Sequence, residues 1–145
     1  MEHILVGVDG SPESKAALEW AIGQAEAKSA KIRVVMAVED TTSDVWISHG
    51  PLASRLKTAH QHLDHLVKGY REGHPKIGVE HEVREGRPAE VLLDEAKHAD
   101  LLVVGGRGRG AIAGALLGSV SLHCVAQSPC PVVVVRCPLH PKRVR

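Results

Sequence analysis

Five short runs rich in β-branched residues, separated by stretches of helical periodicity, constrain the fold of this chain more than any other feature. The first run, His3-Ile4-Leu5-Val6-Gly7-Val8, is apolar on both faces, as a parallel strand covered by helices on both sides must be. It stops at Asp9-Gly10. Ser11 can then cap a helix with Pro12 at its first position and Glu13 in its first turn, and Ala17, Trp20, Ala21 and Ala25 offer an apolar stripe.

The same unit recurs along the chain. Residues 32–38 form a second strand, residues 39–49 a polar loop, and the next helix carries Leu52, Leu56, Ala59, Leu63, Leu66 and Tyr70 at spacings of four and three. Residues 78–84 alternate polar and apolar side chains, which places a third strand near a sheet edge, and Pro88 opens a helix bearing Val91, Leu92 and Ala96. A fourth strand covers residues 101–104. Ser119 can cap a helix reaching Gln127, Pro129 and Pro131 forbid its continuation, and Val132, Val133, Val134 and Val135 make the fifth strand. This alternation predicts an α/β fold: an open, doubly wound, five-stranded parallel sheet of order 3-2-1-4-5. Strands one and four then end side by side, with a crevice between Asp9 and Gly105.

Composition narrows the function classes. The chain has 145 residues, 43% of them hydrophobic and 2% aromatic with no Phe, so one domain with an aliphatic core is expected. A base-stacking nucleic-acid module is disfavoured. The net charge of +1 gives no general attraction to nucleic acid, and the basic residues Arg136, Lys142, Arg143 and Arg145 read as a solvated tail. No charged leader with an apolar core opens the sequence and no run approaches a membrane span, so the expected location is cytoplasmic with no membrane partner. Cys124, Cys130 and Cys137 lack Cys-x-x-Cys spacing and suit a reducing compartment, with Cys124 read as a small core residue.

The run Val103-Val104-Gly105-Gly106-Arg107-Gly108-Arg109-Gly110 carries the chemistry. A strand empties there into a loop with few side chains, and glycines at 105, 106 and 108 can take positive φ and admit a phosphate to the main chain. Gly118 and Ser119 would begin a helix whose amides and dipole favour an anion. A P-loop is excluded, because Ala111 and Ile112 stand where its lysine and hydroxyl belong. Gly106, Gly108 and Ala111 match a dinucleotide fingerprint by spacing only, after the wrong strand and without the acidic residue about 20 positions on. His60 and His62 point about 200° apart on their helix, so the histidine cluster at 60, 62 and 65 forms no ready metal set.

Gly105-x-x-Gly108, nine residues, Gly118-Ser119, with Val-rich strands on each side and Asp9-Gly10-Ser11 after the first, resembles the universal stress protein family, in its single-domain ATP-binding branch. The likeness extends from Ile4 to Arg136. It implies an adenine nucleotide alpha hydrolase-like sheet over residues 1–137, with 138–145 as a basic tail. It also implies ATP as ligand, with Mg²⁺ as a candidate companion. By the resemblance Gly7 allows close approach beneath the nucleotide, Asp9 and Gly10 lie beside adenosine, and Val38 offers main-chain groups to adenine. Gly105, Gly106, Gly108, Gly110, Gly118, Ser119, Val120 and Ser121 would surround the phosphates. Arg107 and Arg109 either contact the phosphates or stand solvated.

The resemblance implies a regulatory role in stress or growth arrest, through an unidentified downstream protein. No catalytic residue is assigned, and any ATP hydrolysis should be slow for want of a phosphate-bridging lysine and a water-orienting group. One alternative is an adenine-nucleotide hydrolase related to adenylate-forming pyrophosphatases, but Asp9-Gly10-Ser11-Pro12-Glu13-Ser14 lacks their glycine pair. The other is a nucleotide-free interaction module. Val132, Val133, Val134 and Val135 form an apolar edge expected to pair with a second copy as a homodimer.

Overall fold

The computed structural model describes residues 1–40, 50–107 and 117–137. Strands and helices alternate through them as β1 (His3–Gly7), α1 (Pro12–Lys28), β2 (Lys31–Val38), α2 (Leu52–Gly73), β3 (Val79–Glu85), α3 (Pro88–Ala96), β4 (Leu101–Gly105), α4 (Ser119–Gln127) and β5 (Val132–Val135). All pairings are parallel and the order is β3-β2-β1-β4-β5, as the sequence predicts.

Side chains alternate across the sheet, so each strand feeds two cores. Ile4, Val6, Ile32, Val34, Leu101 and Val103 pack beneath α1 and α2. Leu5, Val35, Leu102 and Val104 face Val91, Leu92 and Cys124 of α3 and α4. Each fully buried aliphatic side chain contributes roughly 1.5–3 kcal/mol, which lets short strands without aromatic rings hold together. Burial also pushes the Cys124 thiol up to about 11, so this cysteine is inert core material.

Helix α1 corrects one expectation. Its buried stripe is Ala17, Leu18, Ala21, Ile22 and Ala25, whereas Trp20 is 36% exposed. At 100° per residue Trp20 stands about 130° from the centre of that stripe. The first turn of α1 meets the sheet closely: a Cβ on Gly105 would lie 2.7 Å from the Glu13 carbonyl carbon and 2.8 Å from the Ser14 nitrogen. A helix turn seated that near the sheet leaves room for no side chain on the strand beneath it.

The ends of the sheet differ in construction. At its β3 side, Arg33 is bonded to Glu95 (2.7 Å) and Glu80 (3.3 Å) and also to Glu82, while Arg84 binds Asp94 and Glu95, each at 3.0 Å. Hydrogen bonds from Arg33 and then Arg84 hold the Glu95 carboxyl below its usual range, against the opposing cost of burial. On the other face of the same edge, His81 bonds Asp64 through Nε2 at 2.5 Å and meets Arg71 through Nδ1 at 3.2 Å. Arginine only donates, so Nδ1 accepts, and Nε2 carries the proton to Asp64.

Candidate functional site

The crevice lies where the chain reverses its winding. After β1 it turns to α1 on one face, and after adjacent β4 it turns to α4 on the other, leaving the carboxyl ends of both strands open between the helices.

The β1–α1 turn is built by its own polar residues. Asp9 Oδ1 accepts from the Ser11 amide at 2.9 Å, and the Ser11 hydroxyl caps α1 by accepting from the Ser14 amide at 3.2 Å. Ser14 Oγ donates to the Ser11 carbonyl at 3.0 Å and accepts from the Asp9 amide at 3.2 Å. Gly10 bridges them with φ 85°, a conformation that favours glycine. The half-buried Asp9 is thus fixed at the crevice rim, one carboxylate oxygen anchored in the turn.

Across the crevice, the two separated glycine segments meet. The Gly106 carbonyl accepts from the Gly118 amide at 2.7 Å and from the Ser121 hydroxyl at 2.9 Å, while the Gly106 amide donates to Val135 O at 2.8 Å. The loop leaving β4 is therefore stitched to the start of α4. Ser121 is 2% exposed, and its hydroxyl clamps the loop by way of the Gly106 and Gly118 carbonyls. Gly118, not Ser119, is the N-cap residue, and among the described residues no side chain caps α4. First-turn amides without a side-chain cap suit solvent or an anion.

The glycines here have a reason the sequence reading did not supply. Positive φ among the described glycines occurs at Gly10, Gly50 and Gly86, so Gly105 and Gly106 do not use the left-handed region expected of them. Gly105 is small because the α1 backbone presses on it. At Gly106 a Cβ would lie 3.0 Å from Arg136 Cγ and 3.2 Å from Glu13 Oε1. Gly7 makes room for Leu92, whose Cδ1 would be 2.6 Å from an added Cβ. Val38 ends β2 at the same side of the sheet, and its carbonyl already accepts from the Gly86 amide at 3.0 Å. A second lone pair is left for any further contact.

Ser119 is exposed and Val120 half-buried at the start of α4. Gly108, Arg109 and Gly110 lie outside the described residues, as does the tail 138–145. Sequence reasoning missed Glu13. It reads as a routine first-turn acid, yet it is 6% exposed and accepts from two main-chain amides, those of Arg107 (2.5 Å) and Cys137 (3.3 Å). Its only signal is its place directly after Ser11-Pro12, which points the first helical turn at the ends of β4 and β5. His60, His62 and His65 are exposed along α2, and among the described residues no three His, Cys, Asp or Glu side chains converge on a metal position.

Comparison with known proteins agrees with this architecture. The universal stress protein family profile matches residues 1–136, and the chain belongs to that family. A universal stress protein of Thermus aquaticus is 37% identical over 138 residues, covering 92% of this chain and 97% of the relative. The chain spans about half the length, 45%, of curated relatives such as one from Mycolicibacterium smegmatis, to which it is 35% identical over 92% of its own length. Among solved structures, universal stress protein UspA from Lactobacillus plantarum superposes with a TM-score of 0.80 at 25% identity, over 93% of this chain and 97% of that one. A universal stress protein in complex with cAMP gives 0.62 at 28% identity, over 92% and 96%. An Arabidopsis thaliana family protein with AMP bound gives 0.61 at 21% identity, over 96% and 94%, a likeness of fold.

Proposed function

We propose that this chain is an ATP-binding universal stress protein that holds its nucleotide across the β1–β4 crevice and acts by occupancy rather than by turnover. The observation that carries the reading is the bond from the Gly118 amide to the Gly106 carbonyl, which sets the end of β4 beside a helix start that no side chain among the described residues caps. Backbone amides and a helix dipole on one spot suit a phosphate chain. Asp9 and Val38, at the ends of β1 and β2, are within the same open end of the sheet and suit the adenosine half. The complex of a relative with cAMP supports an adenine nucleotide. Mg²⁺ would enter as the counter-ion of the phosphates, held by their oxygens and by water.

Slow hydrolysis follows from the same inventory, since no P-loop lysine stands in the glycine segment. In this reading the protein works in the cytoplasm as a homodimer joined through β5, and reports nucleotide occupancy to a partner in a stress or growth-arrest response.

Isothermal titration of ATP, AMP, cAMP and GTP tests the proposal directly. ATP should bind and GTP should bind much more weakly. Gly118→Ala should weaken ATP binding about tenfold or more while the fold survives, because φ −80° and ψ 170° are open to alanine and the new methyl meets the phosphate. Equal affinity for ATP and GTP would remove the adenine assignment, and unchanged affinity in a folded Gly118→Ala protein would move the phosphate site elsewhere.

A further inference from the structure

We propose that Glu13 is a positioning residue that ties the loop after β4 to the segment after β5, so that nucleotide occupancy is felt at Cys137. The clause about occupancy rests on the nucleotide reading above; the tie itself does not. Glu13 is held rigidly before it makes any long-range bond. Pro12 occupies the first helical position, Ser11 caps the helix, and Ser14 is locked into the turn by two hydroxyl bonds, so the Glu13 backbone has no freedom to wander. Its side chain then points under the loop with 6% exposure.

Each carboxylate oxygen has a separate task. Oε1 accepts from the Arg107 amide at 2.5 Å, and Oε2 accepts from the Cys137 amide at 3.3 Å. Those two donors belong to different strand ends, 30 residues apart in sequence. A carboxylate accepts only, and bonds from amides to an ionised oxygen are stronger than neutral ones, which suits a buried link between two loops. The negative charge also sits in the first turn of α1, where the helix dipole favours it. Neighbouring atoms are fitted around the link. An added Cβ at Gly106 would come to 3.2 Å from Oε1, and the Cys137 thiol donates to the Pro12 carbonyl at 3.6 Å.

The mechanical consequence runs in both directions. Arg107 follows Gly106, which is bonded to Gly118 and Ser121 at the start of α4, so a ligand that fixes Gly106 and Gly118 also fixes the Arg107 amide. Through Glu13 that ordering reaches Cys137, two residues beyond the end of β5. By linkage, whatever fixes the end of β5 must favour nucleotide binding by the same factor.

Amide hydrogen exchange and site-resolved alkylation of Cys137, with and without ATP, test this on the full chain and on Glu13→Gln and Glu13→Ala. Glutamine keeps one acceptor oxygen, which the shorter Arg107 bond should retain, and presents an amino group to the Cys137 amide. In the ligand-free protein, Glu13→Gln should speed exchange at Cys137 about tenfold and leave Arg107 nearly unchanged, whereas Glu13→Ala should speed both. In the wild type, ATP should slow exchange at Arg107 and Cys137 and slow alkylation of Cys137. In Glu13→Gln the protein should still bind ATP and protect Arg107, but Cys137 should no longer respond. A purely structural glutamate would lower stability without separating these two responses. Unchanged Cys137 exchange in ligand-free Glu13→Gln overturns the tie, and a Cys137 response to ATP that survives in Glu13→Gln overturns the coupling. Failure of the wild type to bind ATP would instead overturn the nucleotide reading, with the tie still judged by the ligand-free comparison.

Discussion

The two edges of the sheet solve opposite problems. Edge strand β3 alternates Val79, His81 and Val83 on one face with Glu80, Glu82 and Arg84 on the other. Arg33 and Glu95 roof the charged face, and Asp64 and Arg71 engage His81 on the other. Edge strand β5 has four half-buried valines in a row, and Leu122 and Val125 of neighbouring α4 are each 53% exposed. Charge on an edge discourages pairing with another chain, and an apolar edge invites it. The contrast makes β5, not β3, the edge through which the proposed homodimer would pair.

The largest expected effect comes from blocking that extension. Pro131 and Val135 carbonyls accept from Leu102 and Gly106 of the β4 side, so alternate residues of β5 face the ladder and the main chain of Val132 and Val134 faces outward. Val134→Pro removes an outward amide and spares the bonds to β4, which is the situation in which an edge strand accepts proline. Sedimentation at micromolar concentration should change from dimer to monomer, with the circular dichroism spectrum preserved. A wild-type protein that already sediments as a monomer would end the proposed β5 pairing.

The opposite edge should respond in stability rather than association. Arg33→Ala leaves Glu80, Glu82 and Glu95 facing each other with Arg84 as the remaining partner of Glu95. Arg33 is one-third exposed, so the loss falls between a surface pair and a buried one, roughly 1–2 kcal/mol. Urea unfolding should show the drop, and sedimentation should show no change in oligomeric state. A variant that instead aggregates through β3 would mean that the charge roof is what keeps that edge closed.

The fold was legible because its main signal is local. Val-rich runs bounded by Asp9-Gly10 or by prolines name the strands, and Ser11-Pro12 names the start of α1, with no long-range information required. The site was legible only as a set of positions. Gly105 and Gly106 stand out in sequence as glycines, but what makes them glycine here is the α1 backbone and the Glu13 carboxylate, partners more than 90 residues away. Trp20 stands at i+3 from Ala17 and so fits a stripe by spacing, but the stripe that Leu18 and Ile22 complete centres about 130° away from it. Likewise the resemblance sets Ser121 among the residues around the phosphates, and only the fold shows its hydroxyl bonded to the Gly106 carbonyl.

A pH titration sharpens the comparison of edges with the smallest effect. Hydrogen bonding to Arg33, and then to Arg84, lowers the Glu95 carboxyl from its ordinary 4.5, with burial opposing the shift. A carboxylate that is more acidic when folded stabilises the protein above its unfolded value, and that contribution fades as pH falls through the folded value. Glu95→Gln should therefore be less stable than the wild type at pH 7, by no more than about 1 kcal/mol given the partial exposure of its partners. The gap should narrow from pH 4.5 downward, because the unfolded carboxyl takes up its proton first and the folded one, as pH falls through its lowered value, loses the ionic part of its bond to both arginines. β5 carries no titratable side chain, so the proposed dimer should keep its dissociation constant across the window in which the β3 edge weakens. Unfolding curves and sedimentation on the same samples separate the two. A gap between Glu95→Gln and wild type that stays constant down to pH 3 would show that the Arg33 cluster contributes packing rather than charge.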